Sequence, residues 1–375
     1  MVVNEILSHK MTTQKESRLV FLDAMRGFTI AAMILVNFPG NEEHVFAPLH
    51  HTVWNGLTPT DLIAPFFLFI VGISIVLSYG RRRDDEEKGE LYRKIVWRAI
   101  KIFALGIFLN LLPDFDFANL RYTGTLPRIA LVFLPCAILF LNTSFKQQLW
   151  IGVSILVAYW LAMTLIPTPG IGAVMLEPGV NLAAWIDSQY LPGRMWQGTW
   201  DPEGILSTFP SIVSGISGLL AGHLLASKRT PTDKVIYLMV CGLISAVAGY
   251  VWSLTFPVNE NLWTSSFVLI TSGFAALILG AAYYVVDIRG YKQWTFPGVV
   301  FGANAISTYV LADILALIFY VFPWGEATLN IHVTSSLTSI GLSPKVSSCA
   351  YALFFVCINF IPAYILYRKK IFIKV

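Results

Sequence analysis

The sequence predicts an all-α membrane protein, a polytopic bundle of about ten transmembrane helices with both termini in the cytoplasm. Three observations carry this. Of 375 residues, 56% are hydrophobic and only 13% charged, where a soluble domain carries about 25% charge. The apolar residues gather in runs of about 20, the length that crosses a hydrocarbon core as a helix. The basic residues gather in alternate connections between those runs, the signature of the cytoplasmic side. The net charge of +4 is therefore a topology signal. It is no nucleic-acid footprint, because no basic stripe interleaves with exposed aromatics. Cys136, Cys241, Cys349 and Cys357 all fall inside apolar stretches without metal-knuckle or CxxC spacing, and read as small apolar side chains.

The spans are expected in order. Residues 1–18 form a polar cytoplasmic tail with no signal-peptide core, so the first span, 20–39, is retained. The second, 60–79, is the most uniformly apolar. The third and fourth, 95–112 and 126–142, are shorter and carry charge. A tight polar link around Lys146 leads to the fifth, 148–166. The sixth, 205–226, opens on Asp201-Pro202-Glu203, and 234–256, 262–286, 297–320 and 346–367 complete the set. With the N-terminus inside, inside segments hold 19 basic residues and outside segments only Arg121, Arg194 and Lys345. A single missed helix would scramble that split. Residues 19–375 then read as one transmembrane domain without internal repeats, with long outside loops at 40–59 and 167–204. Tryptophan and glycine in these loops argue for an ordered lid or for interfacial segments lying on the membrane, and NLAAWIDSQYL for a short surface helix.

Titratable groups cluster at one mouth. His50 and His51 precede Asp61 at the entrance to the second span. Histidine serves as base or nucleophile near neutral pH, and an acid at the edge of a membrane segment usually has a use. On the first span, Arg26 and Asn37 lie about 60° and 40° from Asp23 at 100° per residue, so all three share a face. Asp23 and Arg26 sit near the inside surface and Asn37 about 21 Å further out. Such a stripe suggests a path through the membrane, against the plainer reading of a self-neutralising Asp23–Arg26 pair. Arg98 and Lys101, one turn apart, can join Arg26 in a basic pocket suited to a phosphorylated ligand; snorkelling to headgroups is the competing reading, as it is for Arg128. Asp201 and Glu203 suit an ordinary helix start. Asn304, Ser307 and Thr308 share one face of the ninth span, where small polar groups also serve as interhelical glue. Asp313 points elsewhere.

Five stretches carry a resemblance: RLVFLDAMRGFTIAAMILVN (18–37), HTVWNGLTPTDLIAPFFLFIVGISIVLS (51–78), WDPEGILSTFPSI (200–212), NENLWTSSFVLITSG (259–273) and FPGVVFGANAISTYV (296–310). In these the chain resembles the heparan-α-glucosaminide N-acetyltransferase family, in its compact bacterial form without the large lumenal domain of the animal enzymes. The resemblance implies a multi-pass acetyltransferase, here of a bacterial inner membrane, and a homodimer. It would move acetyl from cytosolic acetyl-CoA to the amine of a glucosamine-type sugar or glycan end across the bilayer, without a metal. It makes His51 the active histidine and Asn37 its polar neighbour. Arg26, Arg98 and Lys101, with Asp23, Arg128, Asn304 and Ser307, would hold the CoA. Trp54, Asn55, Asp61, Asp201 and Glu203 would meet the sugar; Asp61 would either orient His51 or bind the substrate ammonium. His51 would be a base in direct transfer or a nucleophile forming acetyl-imidazole. Two other functions fit the same residues: an O-acetyltransferase of a cell-envelope glycan, and a secondary transporter of a small sugar or anion. The transporter would usually show an inverted repeat.

Overall fold

The computed structural model describes residues 19–80 and 82–373; the expected tail 1–18, with three of the inside cations, lies outside the described residues. Thirteen helices are used below: α1 Val20–Asn37, α2 Ile63–Tyr79, α3 Lys88–Leu111, α4 Thr125–Asn142, α5 Phe145–Leu165, α6 Leu182–Tyr190, α7 Ile205–Ala226, α8 Pro231–Ser253, α9 Ser265–Ala282, α10 Phe296–Ala303, α11 Ala305–Ala316, α12 Leu329–Ser339 and α13 Pro344–Arg368. The described strands are a two-residue hairpin, Pro323–Trp324 with Ala327–Thr328.

Eight of these segments are long and apolar enough to cross a membrane, and a ninth arises if the bent pair Gln293–Ala303 and Ala305–Val321 is one span. This corrects the expected ten in two places. The third span is a helix, α3, about 36 Å long at 1.5 Å per residue. It begins seven residues before the expected start and takes in Glu90, Arg93 and Lys94, which with Arg98 and Lys101 leave it too charged to count by composition. The ninth span is two helices meeting at 75°. Asn304 leaves helical geometry at the break (φ −134°, ψ 46°), so it shares no continuous helix face with Ser307 and Thr308. The chain is an integral multi-pass membrane protein of the all-α class.

Burial grades the helices. In α2 with its preceding turn, in α4 and in α7, 61% of the most apolar window is buried, against 17% in α8. The first three therefore form the centre and α8 faces lipid, as its exposed Ile236, Val240, Leu243, Ile244 and Val247 require. Glycines set the closest approaches, as small residues do between membrane helices. A Cβ on Gly27 of α1 would overlap the Gly298 carbonyl of α10, and one on Gly218 of α7 would overlap the Phe69 carbonyl of α2. α1 and α2 are thereby pressed into the bundle.

The long loops at 40–59 and 167–204 interlock. α6 does form, capped by Asn181 Oδ1 accepting from the Ala184 N–H at 2.9 Å; Leu182, Ala183, Ala184 and Asp187 pack inward while Ser188, Gln189 and Tyr190 are exposed. Asp187 caps α7, its Oδ1 accepting from the Ile205 N–H at 2.8 Å. Burial raises the Asp187 pKa to about 6. Trp54 sits edge-on to Trp200 at 5.1 Å and donates from Nε1 to the Leu176 carbonyl at 3.0 Å. The Gly56 N–H donates to the Val258 carbonyl at 2.8 Å, tying the histidine loop to the segment before α9.

Candidate active site

His51 ends a loop stretch with a two-carboxylate partner. Its Nδ1 lies 2.9 Å from Asp61 Oδ1 and 2.7 Å from Glu260 Oε2. Asp61 stands in a single 3-10 turn leading into α2 and is fully buried. It also accepts from the Thr52 N–H at 3.3 Å, the Thr52 hydroxyl at 3.0 Å and the Thr58 N–H at 2.7 Å. Four donors saturate the carboxylate and fix its plane. It is thus committed to holding His51, and no lone pair is left for a substrate ammonium. The His51 side chain is 55% exposed, so its other ring nitrogen, Nε2, is open to the outside of the site.

Glu260 went unassigned in the sequence. The turn that carries it is knotted by Asn259, whose side chain accepts from the Leu262 N–H at 2.8 Å and donates to Asn55 at 3.1 Å. The signal was present: Glu260, like Asp61, is an acid at the edge of a membrane span. Burial alone would lower the His51 pKa, but the hydrogen bonds to Asp61 and Glu260 outweigh it and raise it to about 10. Burial raises Glu260 to about 7, against the pull of His51. The three ligand-type atoms lie within 4.8 Å of one another, close enough to ligate one cation. Their 2.7 and 2.9 Å separations are also hydrogen-bond lengths, at which Nδ1–H can be shared between the two carboxylates.

At the opposite end of α2 lies a cavity of about 760 Å³. It gathers Arg26, Arg98, Lys101 and Asn304 as expected, and adds Arg82, Arg93 and Lys94. Arg26 donates to Ser74 at 2.7 Å and pairs with Asp23 at 3.4 Å. Arg98 lies over the Phe133 ring at 5.1 Å. From Asp61 to Ser74 is about 20 Å along α2 at 1.5 Å per residue, so the two sites face opposite ends of one central helix.

Several expected site residues stand elsewhere. Trp54 is buried at 8% exposure against Trp200, which leaves no ring face for a sugar; Trp196, 56% exposed with Arg121 at 4.9 Å, is the accessible tryptophan of that region. Asn55 is exposed and bonded to the Glu260 turn. Asp201 is structural: it takes a two-pronged ion pair from Arg121 at 2.9 and 2.7 Å and a bond from the Trp196 N–H at 2.9 Å. Burial would raise its pKa, but Arg121 holds it below the usual carboxylate range. Glu203 also pairs with Arg121 at 2.5 Å. Asn304 holds the chain's own C-terminal segment, donating to the Ile371 carbonyl at 2.9 Å and accepting from the Ile373 N–H at 2.8 Å, and Phe372 and Ile373 join the cavity wall. Ser307 does not line the cavity. Arg128 neither snorkels nor reaches it: at 4% exposure it lines a separate chamber with Glu203 and Glu260. Asn37 is the exposed last residue of α1, and no hydrogen bond joins it to His51 among the described residues.

A multi-pass helical membrane protein with a histidine–carboxylate site at one end of its central helix and a cationic cavity at the other defines the class. Residues 18–178 match the family described as heparan-alpha-glucosaminide N-acetyltransferase, catalytic. The chain is 30% identical to the human heparan-alpha-glucosaminide N-acetyltransferase over 96% of its own length and 60% of the human protein. To the mouse protein of the same name it is 29% identical, over 96% of this chain and 61% of that one. It spans about three fifths of the length of these relatives. In these matched regions the chain is similar to the heparan-alpha-glucosaminide N-acetyltransferase family.

Proposed function

We propose that this chain is a transmembrane N-acetyltransferase that takes acetyl from acetyl-CoA in the cationic cavity and delivers it to a glucosamine-type amine beside His51. The observation that carries the reading is the pairing of those two sites across α2. Six cations around one cavity suit the phosphates of a nucleotide cosubstrate. A histidine held through Nδ1 by a buried, saturated aspartate presents Nε2 for proton transfer. The phosphates of CoA would rest on Arg98, Lys101 and Arg26, its pantetheine arm would run along α2, and the thioester would reach the His51 end.

In the transfer, the amine lone pair forms a bond to the thioester carbon as the carbonyl electrons move to oxygen. The tetrahedral adduct collapses, the C–S bond breaks, and the amine proton passes through His51 to the departing thiolate. Asp61 and Glu260 stabilise the imidazolium that forms between these steps. Direct transfer is favoured because the exposed Nε2 would leave an acetyl-imidazole open to water. Cytoplasmic termini, one transmembrane domain over 19–375, a bacterial inner-membrane setting and a homodimer complete the proposal. The relatives are named for a heparan glucosaminide; an amino sugar is the matching acceptor class here. Purified protein in detergent, given labelled acetyl-CoA and glucosamine, should yield labelled N-acetylglucosamine. Labelling of a hydroxyl acceptor only would convert the assignment to an O-acetyltransferase, and no transfer to either would refute it.

A further inference from the structure

Between the cationic cavity and His51 lies a second, much smaller chamber of about 50 Å³. Phe67 and Ile129 line both spaces and so form the partition between them. At the far end the chamber is closed by Glu260, which bonds His51. Since a single water needs about 10–15 Å³ measured this way, the chamber has room for a two-carbon acyl group and little more. Glu260 thus links this chamber to the histidine, and Phe67 and Ile129 link it to the cavity.

Arg128 of α4 lines this chamber. Its guanidinium is fixed on one side: Nη2 donates to the Ser207 hydroxyl at 2.5 Å and to the Gly204 carbonyl at 3.5 Å, and the group lies 5.0 Å over the Trp263 ring. The other two nitrogens, Nε and Nη1, are buried and make no hydrogen bond. Buried donors in native proteins are nearly always satisfied, and an exception calls for an explanation. A buried guanidinium with unused donors, locked in place on the wall of a two-carbon chamber, matches a carbonyl oxygen that gains negative charge.

We propose that Arg128 receives the carbonyl oxygen of the acetyl thioester through one of these unpartnered donors and stabilises the oxyanion formed when the amine attacks. The inference rests on the acetyltransferase reading above. Glu203 and Glu260 on the same chamber balance the guanidinium charge while the site is empty of substrate. The electron pair displaced from the C=O bond comes to rest beside Arg128 and returns when the CoA thiolate leaves. Asn37, exposed at the end of α1, is not needed for this role.

The test compares binding of CoA with binding of its S-acetonyl thioether, a ketone that keeps the carbonyl and cannot transfer. Wild type should bind the ketone more tightly than CoA. Arg128→Gln should erase that preference, leave CoA affinity within about twofold, and lower kcat by about 100-fold or more. Ser207→Ala removes the anchoring hydroxyl but keeps Nε and Nη1, so the preference should persist. An Arg128→Gln protein that keeps the preference overturns the inference, as does one that loses affinity for both ligands equally, which would mark a structural role. If Arg128→Gln does not fold, Arg128→Lys carries the test, since it keeps the charge but has neither Nε nor Nη1 of the planar guanidinium. A wild type that binds neither ligand overturns the acetyltransferase reading itself.

Discussion

At the residue scale, the two adjacent histidines have different fates. His51 is bonded to two carboxylates, while His50 bonds through its backbone: its N–H donates to the Ala47 carbonyl at 3.3 Å and its carbonyl accepts from the Thr58 hydroxyl at 2.8 Å. His51→Ala should abolish acetyl transfer and retain acetyl-CoA affinity, since the cationic cavity is untouched; His50→Ala should keep most of the activity. A kcat loss without a change in donor affinity marks an interaction used in the transition state, and an active His51→Ala protein would defeat the assignment. Glu260 gives a pH prediction. His51 must shed a proton to act, and its raised pKa of about 10 confines the reactive form to the alkaline side. Glu260→Gln removes one of the two groups that raise it. The acid limb of the kcat/KM profile should then move to lower pH, and a limb that stays in place or moves upward would mean that another group limits the rate.

At the scale of elements, α3 is the helix whose sequence reads two ways. Its charges make it a poor membrane span by composition, yet Arg93, Lys94, Trp97, Arg98 and Lys101 all line one cavity. The apolar residues Leu91, Ile95, Ala99 and Ile102 are buried on the adjoining stripe, and Ile102 also lines the cavity. The helix is thus amphipathic with its polar face turned to a cavity, which is why hydropathy alone undercounts it. Arg98→Ala and Lys101→Ala should each weaken CoA binding and leave the sugar KM nearly unchanged, because phosphate contacts serve the donor only. Isothermal titration with CoA reads the first and steady-state kinetics the second. Wild-type CoA affinity in both would return these side chains to a headgroup role.

At the scale of the whole molecule, the two sites imply a sidedness. The proposed orientation puts the connection between α2 and α3 in the cytoplasm and α6 outside. Cysteines at Gly89 and Gln189, both exposed, test it in a cysteine-free background. In intact cells an impermeant maleimide should label the Gln189→Cys protein and spare the Gly89→Cys protein. The reverse pattern would place the cationic cavity away from cytosolic acetyl-CoA and remove the cross-membrane scheme.

The sequence by itself determined the helical membrane class, nearly every span and the His51–Asp61 neighbourhood. Those features are local: a run of apolar residues has the same transfer energy wherever it packs, and His51 and Asp61 are ten residues apart on one loop. It also supplied Arg26, Arg98 and Lys101 as one cluster, because each lies near the same end of its helix. Only the tertiary structure could decide what depends on distant partners. Glu260 reaches His51 from 209 residues away, and Arg121 claims Asp201 across 80 residues. Trp54 is buried by Trp200 from another loop. Asn304 breaks its helix and is claimed by the chain's C-terminal segment. Arg128 is left with two unpartnered nitrogens because its neighbours in space satisfy only one. Hydrogen bonds and burial belong to pairs of residues, and long-range pairing is written in the packing of helices.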